Sequence, residues 1–414
     1  VGPRRSGVGG GRSGKICSAD TTDESGRGLM DFSVVQSELL RTLQLVGAVV
    51  PAKSVLQSVL SSVLVRATDD GRVRLEGTDG DQYLRTELRA TVEKPGVVAV
   101  QGRRFLEIVK ELPAGTLRLR LTGTALEVSS GQGKFRLVTR SVEDFPTPPE
   151  IPDGKGVDLP PADLERLIRS TVYAVATDES RLELSGVLME MTPGTIRLVG
   201  TDGHRLARAA VSTETEHTWR VLVPPRTLAT LQRLIPEAGD SVRIASEGKH
   251  VRFDVGPNQL LGRLLSGEYP NYERVIPEGN DRVAVVSTET FLAAVRRVGI
   301  FSDSFTKRVT LGLETGKLRI SVSTQDVGEA EEEIEARYEG ESMRISYNAA
   351  YLIEMLRTIE GGEVEMAFKS SMQAGLFRPS ATDAPDLLCL VMPLRLPDEE
   401  TNAEGSTQQE SRVR

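Results

Sequence analysis

A weak threefold repeat runs through the sequence and limits the folds that the chain can adopt. The turn sequence Gly77-Thr78-Asp79-Gly80 recurs as Gly200-Thr201-Asp202-Gly203, and a degenerate third copy follows at Ser323-Thr324-Gln325-Asp326. Successive copies are roughly 125 residues apart. Because the repeat keeps its phase, it predicts three copies of one domain in place of a single large core.

Each repeat contains two units in which a short strand leads into an amphipathic helix. The first units of the three repeats open at Val34, Leu159 and Val286, and the second units open at Val98, Val221 and Arg344. We expect a Ser, Asp or Thr cap at the start of each first helix. Each domain is therefore predicted to be internally doubled.

Runs of alternating apolar and polar residues lie between these helices. They occur at Arg72 to Glu76, Leu117 to Leu121, Thr195 to Val199 and Lys317 to Ser321. A period of two is typical of antiparallel strands with one face in water. The predicted fold class is α+β, with short helices backing antiparallel sheets.

Length and composition predict the domain limits. The chain of 414 residues is long enough for about three domains. We predict domains over residues 30–150, 151–278 and 279–396, with Pro-rich boundaries at 145–149 and near Pro277. Residues 1–29 and 397–414 lack hydrophobic periodicity and are predicted to be disordered. Because an amphipathic pattern begins abruptly at Met30, we expect Met30 to be the functional start; a basic disordered arm is the alternative.

Charge, hydropathy and cysteine content exclude several classes of protein. The chain carries 51 Lys and Arg against 59 Asp and Glu, a formal net charge of −8, which excludes a uniformly basic surface. No stretch approaches the roughly 18 apolar residues of a membrane span, and no secretion signal is present. Cys17 and Cys389 lack the paired spacing of a disulfide framework or a zinc site. We therefore expect a cytoplasmic protein in a reducing compartment, with no membrane partner.

Few residues offer catalytic or cofactor chemistry. The three histidines, His204, His217 and His250, form no ligand pair for a metal, and no phosphate-binding glycine loop is present. Gly131-Gln132-Gly133 lies between two predicted strands and is interpreted as a hairpin turn. We expect no cofactor and no metal.

One cluster, Asp202 with His204 and Arg205, could support acid–base chemistry. The competing interpretation is a turn in which Asp202 bonds its own backbone, followed by a strand. The first repeat keeps the turn but has Asp81-Gln82 where His204-Arg205 follow in the second. We therefore assign the turn to structure and the extra groups to a binding surface, with catalysis as the alternative.

The helices carry more positive charge than the chain as a whole. We count roughly eleven basic against about six acidic residues in the six predicted helices. Helices that faced the same way would present a basic surface to the phosphates of duplex DNA, whatever its sequence. Aromatic residues make up only 4% of the chain and are not interleaved with the basic ones, which disfavours stacking on single strands. Solvated helix faces of mixed charge are the alternative.

Three motifs resemble a known family. They are LSGEYPNYERVIP at 265–277, GTDGHRLA at 200–207 and the closing VMPLRL at 391–396. Together they resemble the bacterial DNA polymerase III beta subunit family, the sliding clamps, and the likeness covers Met30 to Leu396. The resemblance implies three domains of one fold and a head-to-tail homodimeric ring around duplex DNA, with helices lining the hole and sheets outside. It also implies no enzymatic activity, because the ring only tethers the replicative DNA polymerase to its template.

In this family, partners insert a short peptide with Leu and Phe anchors into an apolar cleft between the second and third domains. Such partners are the polymerase, the clamp loader and other proteins that carry a clamp-binding peptide. The resemblance assigns to the cleft Arg181, Leu184, Thr201, Gly203, His204, Arg205, Leu206, Pro270, Arg274, Val275, Tyr351, Leu390, Val391, Met392, Pro393, Leu394 and Arg395. Two positions depart from the family: Glu183 replaces a frequent aromatic residue, and Leu394 replaces a methionine of similar volume.

The resemblance also implies surfaces for a second subunit and for DNA. The subunit interface would comprise Arg103, Arg104, Lys134, Phe135, Arg136 and Leu137, facing Ile300, Phe301, Glu331, Glu332 and Glu333. Contacts to DNA phosphates would come from Lys53, Arg166, Arg169, Arg226, Arg233, Arg296, Arg297, Lys307 and Arg308. Two other hypotheses stay open: a monomeric peptide-binding scaffold of the same fold, and an enzyme that uses Asp202, His204 and Arg205.

Overall fold

A computed structural model of the protein describes residues 30–51, 58–152, 156–178, 180–381 and 386–395. The two segments predicted to be disordered lie outside the described residues. The described residues divide into two compact units, one within 30–77 and 87–145 and the other within 78–86 and 146–395. Each unit is described by itself below.

The helices and strands follow the predicted repeat. The first repeat contains β1 (Asp31–Val35), α1 (Gln36–Gly47), β2 (Ser62–Thr68), β3 (Arg72–Thr78), β4 (Gln82–Arg89), β5 (Thr91–Lys94), β6 (Gly96–Gln101), α2 (Gly102–Glu111), β7 (Thr116–Thr122), β8 (Ala125–Ser130) and β9 (Gly133–Arg140). The second contains β10 (Val157–Leu159), α3 (Pro161–Thr171), β11 (Val187–Thr192), β12 (Thr195–Thr201), β13 (Arg205–Ser212), β14 (Trp219–Val223), α4 (Pro225–Leu234), β15 (Val242–Glu247), β16 (His250–Val255) and β17 (Asn258–Arg263). The third contains β18 (Arg282–Ser287), α5 (Thr288–Val298), β19 (Arg308–Glu314), β20 (Lys317–Thr324), β21 (Gly328–Glu335), β22 (Met343–Asn348), α6 (Ala349–Leu356), β23 (Glu363–Phe368), β24 (Gly375–Pro379) and β25 (Asp386–Val391).

Every repeat runs twice through the order strand, helix and three strands, and the first repeat adds the short β5. The predicted internal doubling is therefore confirmed. The two helices of each repeat contact each other, α1 with α2, α3 with α4 and α5 with α6. Within the described ranges, no helix is long and apolar enough to cross a membrane.

All sheets are antiparallel. In the first unit the strands pair in the order β5, β1, β7, β8, β9, and the end of β9 continues through β6 to β2 and β3. The second unit contains the orders β10, β15, β16, β17; β14, β11, β12, β13, β25, β24, β23, β18; and β21, β20, β19, β22. In this unit β17 also pairs with residues 82–86 of β4.

The helices bury one apolar face each, which forms the core between helices and sheets. On α1 the buried positions Leu39, Leu43 and Val46 follow the helical spacing of three and four residues. On α5 the equivalent positions are Phe291 and Val295, both fully buried. These observations confirm the predicted α+β class.

The predicted helix caps are only partly right. Ser287 caps α5, where its side chain accepts a hydrogen bond from the Thr290 N–H. By contrast, α1 and α3 begin directly after Val35 and Pro160 without a side-chain cap. In α3 the first residue is Pro161, which has no N–H to be capped. In α1 the Gln36 N–H donates to the Gly115 carbonyl, so the neighbouring loop satisfies one of the free N–H groups of the first turn.

The repeated turn has the same hydrogen bonds in both full copies. The Asp202 carboxylate accepts from the N–H groups of residues 204 and 205 at 2.9 and 3.0 Å. Asp79 accepts likewise from residues 81 and 82 at 2.9 and 2.7 Å. The fourth residue is in the left-handed region, with φ of 99° at Gly80 and 90° at Gly203. The turn is therefore structural, as the repeat indicated.

The glycine before this turn allows a close approach between strand and helix. At Gly200 an added Cβ would lie 2.3 Å from the backbone oxygen of Thr171, the last residue of α3. At the repeat-equivalent Gly77 it would lie 2.6 Å from Val46 Cγ1 on α1. Only glycine permits this packing without movement of the helix.

We expect Gly200→Ala to lower the free energy of unfolding by about 1–3 kcal/mol, because the added methyl meets backbone that cannot rotate away. Urea denaturation followed by circular dichroism measures the change. Gly239→Ala is the matched control, since no atom lies within 4 Å of its added Cβ. Equal stability of the two variants would contradict the close-packing explanation.

Candidate functional site

The pairing of β13 with β25 brings two distant motifs together. Arg205 lies opposite Val391 and Leu206 opposite Leu390 in this antiparallel pair. After β25 the chain stays attached, because the Met392 N–H donates to the His204 carbonyl at 2.8 Å. The GTDGHRLA motif and residues 391–395 of the VMPLRL motif therefore lie side by side.

A buried apolar cluster lies under these two motifs. It contains three predicted cleft residues, Leu184, Leu206 and Leu390, which are 7%, 1% and 3% exposed. Around it, apolar side chains reach solvent: Leu182 is 57% exposed, and the predicted cleft residues Val275 and Met392 are 58% and 45% exposed. A buried apolar floor with exposed apolar rims is the arrangement expected of a peptide-binding surface.

The other predicted cleft residues divide between floor and rim. Thr201 and Val391 are buried, and Arg205, Tyr351, Pro393 and Leu394 are half-buried. Exposed positions are Arg181, Gly203, His204, Pro270, Arg274 and Arg395. An added Cβ at Gly203 would lie 3.1 Å from the Arg181 guanidinium, so these two residues are neighbours.

The loop that carries Pro270, Arg274 and Val275 is anchored by two tyrosines that the sequence analysis did not select. Tyr269 and Tyr272 are 6% and 4% exposed and belong to the same apolar cluster. The Tyr272 hydroxyl donates to Glu190 at 2.7 Å and accepts from Arg197 at 3.1 Å. Burial, reinforced by the bond to Glu190, raises the pKa of Tyr272 above its usual value.

Arg205 is the most highly connected side chain at the site. Its Nε donates to Asp202 at 3.0 Å, one terminal nitrogen donates to the Tyr173 carbonyl at 2.7 Å, and the other donates to Glu354 on α6. The guanidinium also lies over the Tyr351 ring, 4.3 Å from its centroid. Its side chain is only 10% exposed.

The cluster of Asp202, His204 and Arg205 does not resemble an acid–base site. The carboxylate of Asp202 is bound by two backbone N–H groups and by Arg205. Nearby, Cys389 is fully buried, and burial raises the pKa of its thiol to about 12, so it stays protonated. Among the described residues no group of three or more ligating side chains could hold a metal ion.

The residues predicted to contact DNA are mostly on helices, and several have acidic partners. Arg166 pairs with Asp163 at 2.8 Å, Arg226 with Asp79 at 2.9 Å and Arg297 with Glu332, and Arg169 pairs with Glu360. Arg233, Arg296 and Lys307 are exposed, and Arg308 is half-buried. Lys53 lies outside the described residues.

The residues predicted for the subunit interface lie on two edges. In the first unit, Lys134, Phe135, Arg136 and Leu137 are on β9, and Arg103 and Arg104 are exposed on α2. In the second unit, Glu331, Glu332 and Glu333 are on β21, the end strand of its sheet, and Ile300 and Phe301 are 74% and 36% exposed. The acids have partners within the chain: Glu333 bonds Lys317 and Arg319, Glu332 bonds Arg297, and Glu331 is 3.6 Å from Arg319.

Comparisons with known proteins identify the family. Three family models match: the DNA polymerase III beta subunit N-terminal domain over residues 30–149, the central domain over 158–271 and the C-terminal domain over 273–395. The chain belongs to the DNA polymerase III beta subunit family. The resemblance of the three motifs is thereby confirmed over nearly the whole described chain.

Relatives and solved structures agree. The beta sliding clamp of Pseudomonas putida is 34% identical over 372 residues, which cover 89% of this chain and 100% of the relative. That of Bacillus subtilis is 28% identical over 380 residues, 88% of this chain and 100% of the relative. The crystal structure of a Pseudomonas aeruginosa sliding clamp bound to griselimycin has a TM-score of 0.85 at 32% identity, with 89% of this chain and 100% of that chain covered. The predicted three clamp-type domains of antiparallel sheets and helices are confirmed.

Proposed function

We propose that the chain is a non-enzymatic DNA sliding clamp: a homodimeric ring that encircles duplex DNA, tethers the replicative DNA polymerase and recruits other partners through a peptide cleft. Membership of the beta subunit family supports the clamp role. The domain limits at residues 150, 278 and 396 and the cytoplasmic location are part of this proposal.

The main support for the proposal is a strand junction, a pairing between strands of two successive repeats, which occurs twice in the chain. Residues 82–86 of β4 pair with residues 258–262 of β17, and β13 pairs with β25. In both cases the strand after the repeated turn pairs with the last strand of the next repeat. The third such strand, β21, is the end strand of its sheet among the described residues. The last strand of the first repeat in a second copy, β9, would complete the series.

The β9 edge suits this role. Over residues 133–138, β9 pairs with β8 on one side, and its pairing with β6 involves only Thr139 and Arg140. Val138 is 78% exposed and Phe135 is 38% exposed on this segment. Among the described residues, the other edge of 133–138 is therefore open to a strand from another molecule.

The repeat also predicts the register of this junction. In the first copy, Leu84 lies opposite Leu260. Leu84 is seven residues after Gly77, and Leu260 is two residues after Asn258, the first residue of β17 after its hairpin with β16. The equivalent residues are Ala330, seven after Ser323, and Phe135, two after Gly133. This register also places Glu331 opposite Lys134 and Glu329 opposite Arg136, two opposite-charge pairs that favour the interface.

Basic helix residues support the DNA part of the proposal. Arg226 and Arg233 are exposed and seven residues apart on α4, so they share one face. Arg296 and Arg297 are exposed in the last turn of α5. Surface cations of this kind contact phosphates weakly and without sequence preference, which suits an element that must slide.

The site around Leu206 and Leu390 supports the peptide-binding part of the proposal. Its apolar floor can receive aliphatic or aromatic anchors, and its rim carries Arg181, His204 and Arg395, which can meet peptide carbonyls or carboxylates. A pocket of this kind gives affinities of about micromolar, near −8 kcal/mol, which permits exchange among partners.

We expect the protein, loaded by a clamp loader, to stay on nicked circular duplex DNA and to be released when the circle is cut once. A closed ring is held by topology, so its retention does not depend on tight contacts. Gel filtration of labelled protein with the DNA measures retention before and after linearisation. Equal retention on circular and linear DNA would mean contact binding and would contradict the ring.

We expect Ala330→Cys combined with Phe135→Cys, in a Cys17→Ser background, to form an intermolecular disulfide under mild oxidation. The predicted register brings their Cβ atoms within bonding distance across two copies. Ala330→Cys with Arg136→Cys is the control, because a shift of one residue turns the side chain to the opposite face. Non-reducing electrophoresis measures the cross-linked dimer; cross-linking of the control pair alone would refute the register.

We expect Val275→Glu to weaken binding of a peptide with Leu and Phe anchors about tenfold, since a charge at an apolar rim opposes desolvation by the anchor. Fluorescence polarisation of a labelled peptide measures the dissociation constant. Val283→Glu is the control, because Val283 is also exposed, at 42%, but lies on β18 away from the predicted cleft. Unchanged affinity of Val275→Glu would remove Val275 from the cleft.

A further inference from the structure

We infer that Arg205 is a positioning residue that ties the second repeat to the third and thereby holds the cleft in its binding geometry. The family resemblance had assigned it to direct peptide contact. In the structure its Nε and both terminal nitrogens already donate to Asp202, Glu354 and the Tyr173 carbonyl. Asp202 and Tyr173 belong to the second repeat, whereas Glu354 is on α6 of the third.

The first copy of the repeat supports this assignment independently. The residue equivalent to Arg205 is Gln82, likewise the second residue after the turn, and its side-chain oxygen accepts from Thr230 Oγ1 at 2.7 Å. Thr230 is the sixth residue of α4, as Glu354 is the sixth residue of α6. The same contact between turn and helix therefore occurs where no peptide cleft is predicted. A position with this contact in both copies belongs to the junction between repeats.

Burial of the Arg205 side chain makes the tie effective, although its partner Glu354 is 44% exposed. The Arg205 side chain is 10% exposed, and its Cζ lies 4.3 Å from the ring centroid of Tyr351 and 5.3 Å from that of Tyr173. A guanidinium in such surroundings needs all its partners, because a buried charge without them is costly. The two carboxylates supply opposite charge from the two repeats at once. The strand pair β13–β25 sets the register of the junction, and Arg205 sets the position of α6 relative to the turn.

This role has a kinetic consequence for the peptide site, and it rests on the proposed function. If Arg205 holds the cleft in shape, its loss reduces the fraction of molecules that can bind, which lowers the association rate constant. If Arg205 instead contacts the peptide, its loss weakens the complex once formed, which raises the dissociation rate constant. The two roles are therefore distinguishable by which constant changes.

The test measures both constants by stopped-flow fluorescence, using the full chain and a fluorescein-labelled peptide with Leu and Phe anchors. The variants are Arg205→Lys, Glu354→Gln and the two combined. We expect each single variant to lower the association rate constant about threefold or more, with the dissociation rate constant changed less than twofold. The combined variant should be no worse than the worse single one, since both remove the same tie.

Glu365→Gln is the matched control, because Glu365 also pairs with an arginine, Arg378, but both residues lie in the third repeat. Its kinetics should equal those of the unaltered protein. A raised dissociation rate for Arg205→Lys, together with unchanged kinetics for Glu354→Gln, would assign Arg205 to the peptide and overturn the inference. Should Arg205→Lys fail to fold, the test rests on the association rate constants of Glu354→Gln and Glu365→Gln. Equal constants for these two variants would overturn the inference.

A second measurement separates this inference from the proposed peptide site. If the unaltered protein does not bind the peptide, the proposed cleft is wrong. The contact between Arg205 and Glu354 is then tested by its effect on the free energy of unfolding. Urea unfolding of the same variants gives a double-mutant cycle, and non-additive changes for Arg205 and Glu354 support the tie. Strict additivity of the two changes would overturn it.

Discussion

The structure depends on a strand junction between successive repeats, reinforced by a polar turn. Backbone pairing of β13 with β25 continues one sheet from the second repeat into the third. The turn beside it, built on Asp202, holds Arg205 where it reaches α6. Without the junction, Leu206 and Leu390 would not share a buried cluster, and the surface above them would not exist.

Buried and exposed ion pairs have different effects in this molecule. The buried pair of Arg205 with Asp202, whose side chains are 10% and 14% exposed, fixes geometry because neither partner can be lost cheaply, and Glu354 adds a more exposed contact to the same guanidinium. An exposed pair such as Arg169 with Glu360 contributes about 0–1 kcal/mol and is screened by salt. An arginine in such an exposed pair can exchange its carboxylate for another anion at little cost, as the proposed contact to DNA phosphates requires.

Much of the fold could be predicted from particular residues. The GTDG turn can be predicted because the Asp side chain bonds the backbone of the next residues and Gly tolerates positive φ. Its recurrence at a fixed spacing supports a structural role for the turn. The runs of alternating apolar and polar residues can likewise be predicted as strands, because the period of two depends only on neighbouring residues. The start of α1 without a side-chain cap was not predictable from local sequence, because the Gln36 N–H donates to the carbonyl of Gly115, far away in the chain.

The candidate site was less accessible to sequence reasoning. Tyr272, Glu190 and Glu354 were missed, since each acts through a partner far away in the chain. A possible signal was the pair of tyrosines three residues apart in the YPNY segment, which marks one buried face of a turn. The inferred role of Arg205 could not be predicted from the sequence, because an arginine beside a turn does not indicate which residue of another repeat it contacts.

The sequence by itself determined the threefold repeat, the strands, the paired helices and the turn geometry, because these depend on periodicity and on residues within a few positions of one another. Only the tertiary structure decided which side chains meet across the junction: Arg205 with Glu354, Tyr272 with Glu190, and Leu206 with Leu390. Those contacts join residues far apart in the chain, and their existence depends on the register and orientation of whole strands, which local patterns do not specify.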